Sequence, residues 1–233
     1  MNESEWLAAK HPYDLIYHKA CRNDRKRRLL ACASARRVLP LAPPSPSFAE
    51  VIAVAERYAD GIASDADLRA ARREVKKVYD ALLASMSESA MYAAQAARST
   101  LDKEFMTYKM SMEKAQAAEA ARKRPDFDAA YRKEALAQCV LARDIFGSVP
   151  FRPLPPLDGA VLTWNDGIIV KLAAAVYEER SLPEGTLDPH RLRVLADALE
   201  EAGCTDPDIL GHLHQQGGVH VRGCWCVDLL LGK

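Results

Sequence analysis

Apolar residues recur along most of the chain at intervals of three and four, which is the periodicity of an amphipathic α-helix. The clearest run forms one continuous helical face and consists of Leu68, Ala71, Val75, Val78 and Leu82. Residues 62–124 contain neither glycine nor proline, and the serines at 85–89 offer a soft break because they compete for main-chain hydrogen bonds. We therefore predict two long helices packed as a hairpin in this region.

Helix-start signals, in which a side-chain oxygen accepts a hydrogen bond from an unpaired main-chain N–H group, recur along the chain. They are found at Asn23 or Asp24, Ser47, Ser64, Thr163, Asp188 and Asp206. The last two are followed directly by proline, which suits the first helical position. Residues 219–222 suggest a short extended segment, and no convincing strand is present. The patterns predict an all-α fold: a helical array with a long helical hairpin and a compact C-terminal helical unit.

A proline-rich segment divides the predicted helices into two groups. Residues 147–158 include four prolines and are expected to form an extended strap. We predict that residues 1–146 form an N-terminal helical region, which includes the long alanine-rich hairpin. Residues 159–233 are expected to form the C-terminal helical unit.

Composition narrows the class of protein. The chain has 233 residues, of which 32 are basic and 32 acidic, and this balance argues against a nucleic-acid or anionic-membrane partner. No apolar run reaches the roughly 18 residues that a membrane span needs. The opening residues lack the basic and apolar regions of a secretory signal. We expect a cytoplasmic protein, in which the six cysteines stay reduced.

Three of the six cysteines and three of the six histidines fall in the last 30 residues. Thiolate sulfur and imidazole nitrogen are the ligands that tetrahedral zinc prefers. The spacing C-x7-H-x7-H-x3-C identifies Cys204, His212, His220 and Cys224 as candidate ligands of a structural zinc ion. The alternative interpretation is that these side chains only fill the core, since cysteine is among the most buried residue types.

The leading hypothesis for function is a non-catalytic interaction or regulatory module that binds a protein partner or associates with itself, with zinc as its structural metal. An alternative is a metal-dependent enzyme that uses the same Cys/His cluster, with Asp197, Glu200 or Asp228 as acid or base. A second alternative is a helical nucleic-acid binder that uses the basic helix between Arg22 and Arg37. No phosphate-binding glycine loop is present in the sequence.

Several short motifs together resemble those of a large uncharacterised family of bacterial proteins. They are EWL at 5–7, RLLACA at 28–33, RDIFG at 143–147, WNDG at 164–167, LADALEEAGC at 195–204 and HVRGCW at 220–225. Residues 191–203 are also similar to a short repeat-companion module. The resemblance implies the ligand set proposed above, with His214 and Cys226 as extras of this chain, and it implies no activity.

Overall fold

The computed structural model describes residues 1–102, 105–123, 125–147, 151–215 and 217–233. Within these ranges the chain forms twelve α-helices and no strand. Two isolated β-bridges join Ser181 to Thr186 and Thr186 to Val221. The all-α prediction is confirmed, and the second bridge lies in the segment expected to be extended.

The contacts divide the chain into two units, Met1–Ala142 and Arg143–Lys233. The helices of the first unit are α1 (Glu3–Ala8), α2 (Pro12–Ile16), α3 (Asp24–Val38), α4 (Pro46–Ala59), α5 (Asp65–Leu82), α6 (Glu88–Ser99), α7 (Phe105–Arg122) and most of α8 (Phe127–Phe146). The last residues of α8, 143–146, belong to the second unit. Residues 153–158 of the predicted strap have no regular secondary structure, and residues 148–150 lie outside the described ranges.

Local hydrogen bonds explain where the helices of the first unit begin. The hydroxyl group of Ser64 accepts from the N–H of Asp67, and the carboxylate of Asp67 accepts from the N–H of Ser64, so the predicted cap of α5 is confirmed. The predicted start at Ser47 is wrong, because α4 begins at Pro46 and Ser45 provides its cap. Proline at the first helical position already has the φ angle that a helix requires.

Alanine-rich faces of α6 and α7 pack against each other in the first unit. The buried alanines include Ala93, Ala94, Ala96, Ala97, Ala115 and Ala118. The region predicted as two long helices contains three, since the chain leaves the helix after Ser99. At this break the Thr100 hydroxyl group donates to the Ala97 carbonyl, and the Arg28 guanidinium donates to the Thr100 carbonyl over 2.8 Å.

Most of the basic side chains of α3 make contacts inside the first unit. Its ion pairs with other helices or their ends include Arg25–Asp60, Arg36–Glu56 and Arg37–Glu134. Arg36 and Glu56 are both buried and share two hydrogen bonds, of 2.7 and 2.9 Å. Arg36 is therefore withdrawn from solvent, whereas Arg25 is half-buried and Arg37 is exposed.

The second unit contains four further helices around its own apolar core. They are α9 (Gly159–Glu178), α10 (Pro189–Glu201), α11 (Pro207–Leu213) and α12 (Trp225–Leu230). The predicted caps at Asp188 and Asp206 are confirmed, since each carboxylate accepts main-chain hydrogen bonds from the first turn that follows it.

Helix α9 is interrupted near its middle. Trp164 is extended, and Asn165, Asp166 and Gly167 all have positive φ angles, of 46, 55 and 71°. The predicted cap at Thr163 is wrong, because Asp158 caps the helix at Gly159, but the segment that contains Ile169 and Val176 does begin after this interruption. Within the described ranges, α9 is the one helix long and apolar enough to cross a membrane by length and composition, with 22% of that window buried.

Candidate metal centre

Four potential metal ligands lie together in the second unit: Asp144, His212, His220 and Cys224. Their ligand atoms all lie within 4.8 Å of one another. Oδ1 of Asp144 is 2.7 Å from Nδ1 of His220 and 3.2 Å from Nε2 of His212. Sγ of Cys224 is 3.1 Å from Nε2 of His212 and 3.9 Å from Nδ1 of His220.

Each ligand comes from a different element of the second unit. Asp144 lies in the last turn of α8, and His212 lies near the end of α11. His220 lies in the bridged segment, where its carbonyl accepts from the N–H of Leu187 over 2.8 Å. Cys224 is the residue immediately before α12. Because the four positions are fixed by separate elements, they converge only when the whole unit is folded.

Two glycines allow the chain to pass close to these ligands. A Cβ atom at Gly218 would lie 2.9 Å from Nε2 of His220, so a side chain at this position would displace the imidazole. Gly223 has a φ of 96° and donates its N–H to the Tyr177 hydroxyl group over 3.1 Å. That hydroxyl group donates to Asp228 over 2.8 Å, which anchors the turn that leads into Cys224.

A charged carboxylate lies at the centre of the cluster. Burial alone would raise the pKa of Asp144, but the hydrogen bonds that its carboxylate accepts from His212 and His220 outweigh this effect, so the pKa lies below its ordinary value. The second carboxylate oxygen accepts from the N–H of Val221 over 2.9 Å. Asp144 therefore remains an anion despite being only 5% exposed.

The thiol of Cys224 is protonated when no cation lies beside it. Burial raises the pKa of Cys224 well above its ordinary value, and the negative charge of Asp144 raises it further. A bound metal ion reverses this effect, because it stabilises the thiolate directly. The thiol is thus a ligand that depends on the metal for its ionisation.

The cluster fits a zinc ion in geometry and in charge. Zinc at about 2.0–2.3 Å from four tetrahedral ligands separates them by about 3.2–3.8 Å, and the four distances given above lie between 2.7 and 3.9 Å. One carboxylate and one thiolate neutralise a divalent cation, so no net charge is buried.

Three of the four ligands predicted from the sequence, His212, His220 and Cys224, belong to this group, and Cys204 does not. Cys204 follows the end of α10 and lies in the apolar core of the unit. Asp144 stands in the group instead and was missed. Its sequence neighbour Ile145 is apolar, as a core position requires, but α8 carries a second buried carboxylate at Glu134, so no local pattern singled out Asp144 as a ligand.

The residues named for the enzyme alternative lie in other surroundings. Asp197 and Glu200 form a separate group with His214, and all three are exposed or half-buried. Asp228 is buried and accepts a hydrogen bond from Tyr177. None of the three acids belongs to the cluster around Asp144.

The fold and the cluster together describe an all-α protein whose second unit holds a buried site of one carboxylate, two imidazoles and one thiol. Comparison of the chain with protein-family models, with curated proteins and with solved structures gives no match.

Proposed function

We propose that this protein is a metal-stabilised helical module in which Asp144, His212, His220 and Cys224 bind one zinc ion. The observation that carries the proposal is the convergence of four buried or half-buried ligand atoms within 4.8 Å. Nitrogen, oxygen and sulfur donors of this kind suit zinc, and closed four-ligand sites are typical of structural zinc.

Burial of the site supports a structural role over a catalytic one. The exposed fractions of the Asp144 and His220 side chains are 4% and 3%, and that of His212 is 14%. Trp225 packs against His212, with ring centroids 5.0 Å apart, and is itself buried. A catalytic zinc keeps a coordination position open for water or substrate, and this enclosure leaves little access for either.

We propose further that the module is non-catalytic and acts in an interaction or in regulation. The ion would hold together the end of α8, α11, the bridged segment and the start of α12, so its contribution is to the folding of the second unit. The expected partner is another protein or a second copy of the chain.

Metal content and unfolding measurements test this proposal. Protein purified under reducing, chelator-free conditions is expected to contain one equivalent of zinc, and its removal should lower the free energy of unfolding. At a free zinc concentration about 1,000 times the dissociation constant, the loss is about 4 kcal/mol.

Two substitutions distinguish the ligand sets. Asp144→Asn should abolish zinc binding, whereas Cys204→Ala should keep the full equivalent, because Cys204 is not in the group. Protein without metal, or zinc retained by Asp144→Asn and lost by Cys204→Ala, would contradict the proposed site. Zinc that leaves without any change in unfolding would contradict its structural role and favour the enzyme alternative.

A further inference from the structure

A cavity of about 350 Å3 lies in the first unit. None of its lining residues belongs to the proposed metal site, so a proposal about the cavity does not depend on the metal. The end of α7, the first two turns of α8 and Arg37 of α3 line it. Small side chains, Ala129 and Ala130, form part of its wall. The volume is near the lower end of the range of about 300–1,000 Å3 that is typical of small-molecule sites.

Two of the carboxylates that line the cavity already have guanidinium partners. Glu134 accepts three hydrogen bonds from Arg37, at 3.0, 3.2 and 3.1 Å. Glu119 accepts two from Arg122, at 3.1 and 2.9 Å. In each pair the positive and negative charges neutralise each other, and the hydrogen bonds fix the positions of these lining side chains.

Besides these two ion pairs, three charged side chains line the cavity: Lys123, Lys133 and Asp126. Within the described part of the chain, neither lysine has an ion pair. The remaining charge is thus two ammonium groups and one carboxylate, a surplus of one positive charge. The amino-terminal end of helix α8 also borders the cavity, since Asp126, Ala129 and Ala130 are among the lining residues.

We propose that this cavity binds a small phosphate monoester that carries a hydroxyl group. The phosphate dianion pairs with the ammonium groups of Lys123 and Lys133, which act as compact point charges. The carboxylate of Asp126 accepts a hydrogen bond from the hydroxyl group of the ligand. Ligands that are large or apolar do not match a small cavity lined mainly by charged side chains.

Calorimetric titration of the full chain at low ionic strength tests this proposal, with inorganic phosphate and glycerol 3-phosphate as probes. Both are expected to bind, and glycerol 3-phosphate more tightly, because only it offers a hydroxyl group to Asp126. Lys133→Gln should weaken the binding of both probes by about fivefold, because one partly exposed charge pair with the phosphate is lost. Asp126→Asn should remove the preference for glycerol 3-phosphate.

Lys171→Gln is the matched control, since Lys171 is an exposed lysine of α9 outside the cavity, and its substitution should leave both affinities unchanged. Absence of saturable binding at millimolar concentrations would overturn the proposal. Equal weakening of binding by Lys133→Gln and Lys171→Gln would also overturn the proposal. Such a result would show that the phosphate probes are attracted to the positive charges of the whole surface and not to the cavity. Binding of inorganic phosphate alone would contradict the role given to Asp126.

Discussion

The indole Nε1–H of Trp225 donates a hydrogen bond to Nδ1 of His212 over 3.2 Å. The indole nitrogen can only donate, so Nδ1 is unprotonated and the proton of the neutral imidazole lies on Nε2. Nε2 is the atom that faces Asp144 and Cys224. Zinc binding at Nε2 therefore requires the proton to leave this atom and the Trp225 hydrogen bond to break when Nδ1 becomes protonated.

Replacing Trp225 by phenylalanine should accordingly tighten zinc binding. The variant keeps an aromatic ring over His212 but lacks the N–H group that favours the metal-free tautomer. A hydrogen bond of about 1 kcal/mol corresponds to about fivefold in affinity, which competition with a chromogenic chelator can measure. Trp164→Phe, also in the second unit, serves as control and should leave the affinity unchanged. Weaker zinc binding by Trp225→Phe would contradict the tautomer argument.

The backbone of Gly147 lies close to the side chain of Trp225. A Cβ atom there would lie 2.7 Å from Cγ of Trp225, and Gly147 has a φ of 61°. Gly147→Ala should lower the free energy of unfolding by about 2–4 kcal/mol, from backbone strain together with overpacking. Urea unfolding measures this, and Gly159→Ala is the control, because no atom lies within 4 Å of a Cβ there. Equal stability of the two variants would show that neither the backbone strain at Gly147 nor its contact with Trp225 lowers stability.

The buried pair Arg36–Glu56 gives a test in the first unit. Glu56→Gln should lower the free energy of unfolding by about 3 kcal/mol, because it leaves the buried guanidinium without its counter-charge. The double variant Arg36→Met, Glu56→Leu should recover most of this loss, since apolar residues of similar volume need no compensation. A double variant less stable than Glu56→Gln would show that the pair is stabilising in itself.

The pH dependence of stability should report the buried carboxyl group of Glu134. Burial raises the pKa of Glu134, and hydrogen bonds from Arg37 and Gln138 only partly oppose this. A carboxyl group with a raised folded-state pKa holds its proton more tightly when folded. Its contribution to stability is therefore present at acidic pH and is lost as the pH rises through the folded-state pKa.

Glu134→Gln removes that contribution. The free energy of unfolding of the wild type, relative to the variant, should fall as the pH rises above the ordinary pKa of a glutamate carboxyl group. Chemical unfolding of both proteins across this range measures the difference, and Glu178→Gln, an exposed substitution, is the control. A relative stability that rises with pH would mean that Arg37 dominates the carboxyl environment.

Features set by neighbouring residues were predicted well from the sequence. The caps at Asn23, Ser64, Asp188 and Asp206 depend on bonds to residues two or three positions away, and all four are present. The start at Thr163 failed because left-handed residues interrupt the helix at that point, which no local capping signal indicates.

The candidate site was predicted only in the part that is local in sequence. His212, His220 and Cys224 lie close together along the chain, and their residue types suggested a shared role. The contact between Asp144 and His220 joins residues 76 positions apart, so spacing could not reveal it. Cys204 was included for its residue type, but the core of the second unit, and not the cluster, surrounds it.

The separation of Asp144 along the chain from the other three proposed ligands would make a zinc ion at this site a removable cross-link. A cut in residues 153–158, which have no regular secondary structure, would leave two chain fragments, one ending after α8 and the other carrying α9–α12. With the metal bound, both fragments would share its coordination sphere. A chelator would release that link without breaking any covalent bond, as a reductant releases a disulfide.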